Sequence, residues 1–144
     1  FGLGYNGADT YEDHARWGLV RTQGGAKAIW LPRGVTIPWS IEGRVWRVNI
    51  RRPLTPAQMA AGQAKYIGPA GFGNGLYNAD ALAARPQRPV VLVEGELDAL
   101  TIVQACGDTV AAVATGSTGG ARRDRWVVRA LHRNEHLDEI EAAL

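Results

Sequence analysis

The sequence predicts a mixed α/β protein, in which a parallel strand–helix–strand sheet is preceded by a smaller, hairpin-containing α+β lobe. Three observations carry that reading. The run "PVVLVE", residues 89–94, is continuously apolar until it ends on an acid, the pattern of a strand covered on both sides. It leads through Gly95 into "ELDALTIVQAC", an amphipathic helix of about three turns closed by Gly107, and then into a second apolar run, "TVAAVAT". Upstream, "VTIPWSIEGRVWRVNIRRP" reads as two β-rich runs joined at Glu42-Gly43, a hairpin.

Bulk properties bound the answer. A chain of 144 residues makes one ordinary domain or two small lobes. Its 46% hydrophobic and 21% charged residues belong to a folded globular protein rather than a disordered one. The longest apolar runs are about five residues, far short of the roughly 20 that cross a bilayer, and no basic-then-apolar leader opens the chain. A cytoplasmic protein without membrane contact is expected. Cys106 is the single cysteine, which excludes a disulfide framework and a cysteine-rich zinc site within these residues. His132 and His136 are spaced to share a helix face but have no third ligand nearby, so they read as a solvated face.

Charge is unevenly spread although the net value is only +2. Residues 1–70 hold nine Lys or Arg against four acids, and residues 71–144 hold seven against ten. That asymmetry suggests one lobe able to hold phosphates and one supplying carboxylates. The expected division is a basic lobe over residues 1–86 and an α/β domain over 87–144. The chain opens on "FGLGYNG" without a methionine, which suggests a fragment of a longer protein.

Each element has its own signal. "TYEDHARWGLV" has Thr10 and Asp13 spaced as a capping pair, predicting a short helix. "RTQGGAKAIWLPRG" reads as loop, with structure resuming at Val35. On the second hairpin strand Trp46, Val48 and Ile50 alternate with Val45, Arg47, Asn49 and Arg51, predicting a buried face backed by a partly basic one. "TPAQMAAGQA" predicts a helix with Thr55 as N-cap and Pro56 at its first position. "KYIGPAGFGNGLYNADAL" is glycine-rich and predicts a backbone bending closely around something. After the parallel unit, "GSTGGARRDRWVVRAL" supplies a glycine-rich turn and a basic-faced helix. Arg122, Arg123 and Arg125 crowd its start, unfavourable for the helix dipole unless an anion sits there; a phosphate contact and a solvated face both remain open. Most of the tryptophans, Trp30, Trp39, Trp46 and Trp126, are expected in the core.

The acids at the end of the first parallel strand are the strongest functional signal. In open α/β sheets ligands gather at the carboxyl ends of the strands, where Glu94 stands. A carboxylate buried there would need a partner cation. Asp98, four residues on, lies on the first helical turn and can lean back toward Glu94. Two such oxygens suit Mg²⁺ or Mn²⁺, with waters or phosphates completing the shell. Glu96, one step round, is expected to cap the helix N-terminus and face solvent. Spacing alone leaves the alternative open that these are first-turn acids favouring the helix dipole.

The phrase "VLVEGELDALTIVQACG" followed by "VAAVATGSTG" resembles the Toprim domain, the metal-dependent fold shared by bacterial-type primases, topoisomerases and related nucleases. "FGLGYN", the hairpin and "KYIGPAGFGNGLYNADAL" resemble, in order and spacing, the basic N-terminal lobe of bacterial-type DNA primase catalytic cores, so the likeness covers roughly residues 1 to 130. It implies a Toprim-like parallel βαβ sheet and a primase-like nucleotidyltransferase synthesising RNA primers in DNA replication. Glu94 would be the principal metal-coordinating acid and proton acceptor, and Asp98 the second acid of the same motif. Lys65 falls on the family's Lys-Tyr position and Arg51 or Arg52 on the arginine ending the hairpin, all implied to contact template or nucleotide phosphates. Backbone near Thr115 and Gly116 would line the same pocket edge. The implied cofactor is Mg²⁺ or Mn²⁺, and the implied partners are a DNA template, ribonucleoside triphosphates and a replicative helicase.

The sequence departs from the family pattern in three places. Asn74 stands where the family has lysine before "GLY". No strand ending in Asp-x-Asp follows "RWVVRAL"; "HRNEHLDEIEAAL" reads as helix, and a discontinuity or truncation after Leu131 is expected. The family's zinc-binding module has no counterpart. Two rival readings stay open: a Toprim nuclease or topoisomerase-like enzyme, and a non-catalytic DNA-binding module of a phage or plasmid replication protein.

Overall fold

The structure, a computed structural model, describes residues 2–13, 16, 28–68 and 75–116. The chain groups into two compact units, Phe1–Pro38 with Val45–Gly73, and Trp39–Arg44 with Asn74–Leu144. Its strands are mostly antiparallel with one parallel pair, a mixed α/β protein. Among the described residues no helix is long and apolar enough to cross a membrane.

The first unit opens with β1 (Gly4–Asn6), β2 (Thr10–Asp13) and β3 (Ala28–Leu31). The predicted helix at Thr10 is therefore a strand, and the predicted loop before Val35 contains its partner. β2 and β3 pair antiparallel with Tyr11 opposite Trp30 and Glu12 opposite Ile29. Long-range pairing of β-prone residues has overridden a local cap-like spacing, as tertiary context commonly does. Side chains hold the connections: Asn6 Nδ2 donates to the carbonyls of Leu31 and Pro32 at 2.9 and 3.1 Å, and Asp9 Oδ1 accepts from the Arg33 amide at 2.7 Å.

The hairpin forms as expected from β4 (Gly34–Ile41) and β5 (Arg44–Arg51). Its two turn residues, Glu42 and Gly43, have φ of 54° and 72°, the doubly positive conformation that matches the strand twist in two-residue hairpin loops. With β6 (Tyr66–Ile67) they build a sheet of order β1-β4-β5-β6, in which Arg51 pairs with Tyr66. The expected alternation on β5 holds only in part. Ile50 is buried, but Trp46 is 42% exposed and Asn49 only 5%. Burial rises along the strand away from the turn, and Asn49 tolerates it because its Oδ1 accepts from Arg47 Nε at 2.9 Å. Beyond Pro53, α1 (Pro56–Ala60) begins as predicted, with a reciprocal cap between Thr55 and Gln58.

In the second unit, α2 (Asp80–Ala84) is followed by β7 (Val90–Val93), α3 (Glu96–Cys106) and β8 (Ala111–Ala114). β7 and β8 are parallel, Val90 beside Ala111 and Val93 beside Ala114, with α3 as the crossover. β8 is buried throughout. β7 is half-buried along its length rather than covered on both sides as its apolar run suggested. The difference lies in the neighbours: β8 has a partner on each edge. Tyr77 bridges its far side through amide–carbonyl bonds with Ala114 of 2.8 and 3.2 Å, and Asn78 Nδ2 donates to the Ala112 carbonyl. Leu76, Leu82, Ala111 and Val113 form the core, with Val90 and Leu92 packed against it. Truncating Leu82 to alanine would cost about 2–5 kcal/mol. Gly107 closes α3 by donating to the Val103 carbonyl at 2.9 Å.

Candidate functional site

The carboxyl ends of β7 and β8 bring the candidate residues to one edge. Glu94 follows the last residue of β7 and is exposed. Gly95 is the extended N-cap of α3, with no side-chain cap bond. Helix geometry then separates the next two acids. Residues 96 and 98 lie about 200° apart around the axis, so they face opposite sides. Glu96 points inward and is 3% exposed; Asp98 is exposed. The expectation that Glu96 faces solvent is thus corrected: it stands in the first turn of α3, as expected, but shares the buried side with Ala99.

Asp98 folds back toward the strand end. A Cβ at position 95 would stand 2.9 Å from its Oδ2, so the carboxylate approaches the Gly95 backbone more closely than a side chain there would allow. Glu94 is the neighbouring residue. An exposed acid at a strand end and a second exposed acid turned back over Gly95 are oxygen ligands of the kind a hard cation that keeps most of its water takes, as Mg²⁺ does. Among the described residues no three His, Cys, Asp or Glu side chains converge into a fuller ligand set.

Behind these acids lies a buried aromatic cluster that spacing did not reveal. Trp39, near the turn end of β4, is 1% exposed, and its Nε1–H donates to Glu96 Oε1 at 3.2 Å. Tyr77 meets it edge-on, with ring centroids 5.7 Å apart and planes at 61°. Burial first, and the Glu96 carboxylate second, push the Tyr77 phenol above its usual range. On the other strand, the Thr115 amide donates to the Val93 carbonyl at 3.1 Å, and Gly116 turns the chain with φ of 77°. Thr115 and Gly116 therefore do reach the same edge, with the Trp39 ring set against Gly116. Trp39 was legible as core; its bond to a residue 57 positions away was not.

The basic candidates separate. Arg52 is committed within its own unit: its guanidinium donates to Gln63 Oε1 at 3.1 Å and to the Ala64 carbonyl at 3.3 Å, and its Cζ sits 5.3 Å from the Trp30 ring centroid. Lys65 is exposed, its carbonyl accepting from the Arg52 amide at 2.8 Å. Arg51 is half-buried, and its Nε is buried without a hydrogen-bond partner among the described residues. Asn74, Arg122, Arg123, Arg125, Trp126, His132, His136 and Asp138 lie outside the described residues.

No protein-family model, no curated protein and no solved structure matches this chain.

Proposed function

We propose that the chain carries part of the catalytic core of a primase-like, DNA-directed nucleotidyltransferase, a cytoplasmic enzyme synthesising RNA primers by divalent-metal-dependent phosphoryl transfer. The observation that carries this reading is the placement of Glu94 and Asp98. One is exposed at the carboxyl end of a parallel strand, and the other reaches back over Gly95 from the first turn of the crossover helix. A Toprim-like arrangement requires such a pair, and the phrase Glu94-Gly95-Glu96-Leu97-Asp98-Ala99 resembles its motif.

In this reading Glu94 and Asp98 would hold Mg²⁺ or Mn²⁺, which would supply charge neutralisation at a transferring phosphoryl group. Glu94 would also be the acid to accept the proton of an attacking 3′-hydroxyl, as the resemblance implies. Both acids are exposed, as a site that receives the triphosphate of a ribonucleotide requires. Arg51 and Lys65 belong to the basic lobe that would hold the DNA template by its phosphates, so affinity would fall steeply with salt, whereas Arg52 is spent on Gln63, the Ala64 carbonyl and the Trp30 ring. A replicative helicase is the partner such an enzyme would serve.

Template-directed primer synthesis by the full-length protein tests the proposal, with wild type and Glu94→Gln compared in Mg²⁺. The expected outcome is ribonucleotide product from wild type and on the order of a hundredfold less from the variant. Absence of product from wild type, or equal product from both, overturns it. Strand cleavage in place of synthesis would move the assignment to a Toprim nuclease. DNA binding without any response to Mg²⁺ would leave a non-catalytic module.

A further inference from the structure

The acids of the strand–helix junction alternate in direction: Glu94 out, Glu96 in, Asp98 out. The inward one is the unexpected member. A carboxylate at 3% exposure is costly to bury and persists where it is hydrogen-bonded. Its Oε1 accepts from the indole of Trp39, itself held edge-on by Tyr77 and set against Gly116. Gly95 supplies no side-chain cap for the same turn. The grip on Glu96 is therefore a side-chain restraint on the first turn of α3 from the core side. Each residue of rotation swings a helical side chain by about 100°, so the rotational setting of that turn decides where Asp98 points relative to Glu94.

From this geometry we propose that Glu96 is a positioning residue, and that the Trp39–Glu96 hydrogen bond sets the metal-binding geometry of Glu94 and Asp98. The inference rests on the metal reading given above. Groups that orient ligands from behind commonly matter to affinity almost as much as the ligands. Asp98 Oδ2 occupies space that a side chain at Gly95 would fill, so its position depends on how that first turn is set.

The test is Mn²⁺ affinity, followed by electron paramagnetic resonance titration of the free ion, on wild type, Glu94→Gln, Trp39→Phe, Glu96→Gln and Glu96→Ala. Trp39→Phe removes the N–H donor while leaving the Glu96 charge, and Glu96→Gln keeps an acceptor oxygen while removing the charge. The expected result is a loss of about tenfold or more in Trp39→Phe and Glu96→Ala, with Glu96→Gln near wild type. Wild-type affinity in Trp39→Phe overturns the proposal, and so does equal loss in the Gln and Ala variants, which would show charge acting through space. If Trp39→Phe does not fold, the Gln and Ala pair decides alone. A different outcome separates the parent reading: if wild type binds no Mn²⁺, or Glu94→Gln binds as well as wild type, the metal site itself is wrong.

Discussion

The ring of Trp39 lies so close to Gly116 that a Cβ there would come within 2.8 Å of Cη2 and 3.0 Å of Cζ2. Gly116 also holds φ of 77°, which side-chain-bearing residues seldom adopt. One small residue thus turns the chain off β8 and makes room for the indole that binds Glu96. Gly116→Ala should destabilise the protein by about 2 kcal/mol, backbone strain and overpacking acting together. A shift in the urea midpoint without a change in slope would show this. An unchanged midpoint would mean that the indole is not held against this turn.

Tyr77 makes the same cluster sensitive to alkali. Its phenol is raised above the unfolded value of about 10 by burial and by Glu96. Above that value the unfolded chain has lost the proton while the folded chain keeps it. The unfolded state then binds fewer protons, so stability is fully present below about pH 10 and falls as pH rises through the folded value. Denaturation measured at about pH 8 and about pH 11 should show a steeper alkaline loss for wild type than for Tyr77→Phe. Parallel losses would mean that the other tyrosines account for the whole effect.

Asp80 supplies a hinge between local and long-range order in the second unit. Its two carboxylate oxygens accept from the amides of Glu42 and Gly43, at 2.6 and 3.0 Å, in the turn of the hairpin. It also sits in the first turn of α2, where a negative charge suits the helix dipole. These bonds are exposed, so Asp80→Ala should cost about 1 kcal/mol, with Asp80→Asn between the two because it keeps one acceptor. Equilibrium unfolding of the three proteins measures the order. Equal stability of all three would show that water serves the turn amides as well as Asp80 does.

What the sequence made legible follows the range of the forces involved. The hairpin turn, the Thr55 cap and the β7–α3–β8 order are written in adjacent residues: a doubly positive turn, a reciprocal cap and a change from strand to helix periodicity. Thr10–Asp13 misled because its cap-like spacing was local, whereas its strand partner lies at Ala28–Leu31. The positions of Glu94 and Asp98 could be read from spacing. The inward turn of Glu96 could not, because it depends on an indole 57 residues earlier in the chain. A helical projection would have offered one clue, since Glu96 lies about 60° from Ala99 and shares its side of the helix.

Arg51 and Arg52 are adjacent in sequence and equal as candidates for phosphate contact, yet their surroundings assign them different work. Arg52 spends its guanidinium on Gln63, the Ala64 carbonyl and the Trp30 ring, contacts that hold the segment after β5. Arg51, paired across the sheet with Tyr66, is half-buried with its Nε buried and unbonded among the described residues, so a phosphate contact would fall to the terminal nitrogens of its guanidinium. Under the proposed template-binding role, Arg51→Ala should weaken single-stranded DNA binding and reduce the slope of log affinity against log salt by about 0.7, the loss of one phosphate contact. Arg52→Ala should instead lower stability by about 1 kcal/mol, through the lost hydrogen bonds and stacking, with the salt slope unchanged. Fluorescence anisotropy across a salt series, with thermal melts of each variant, separates the two effects. If Arg52→Ala flattens the slope while Arg51→Ala leaves it intact, the assignment of the two arginines is reversed.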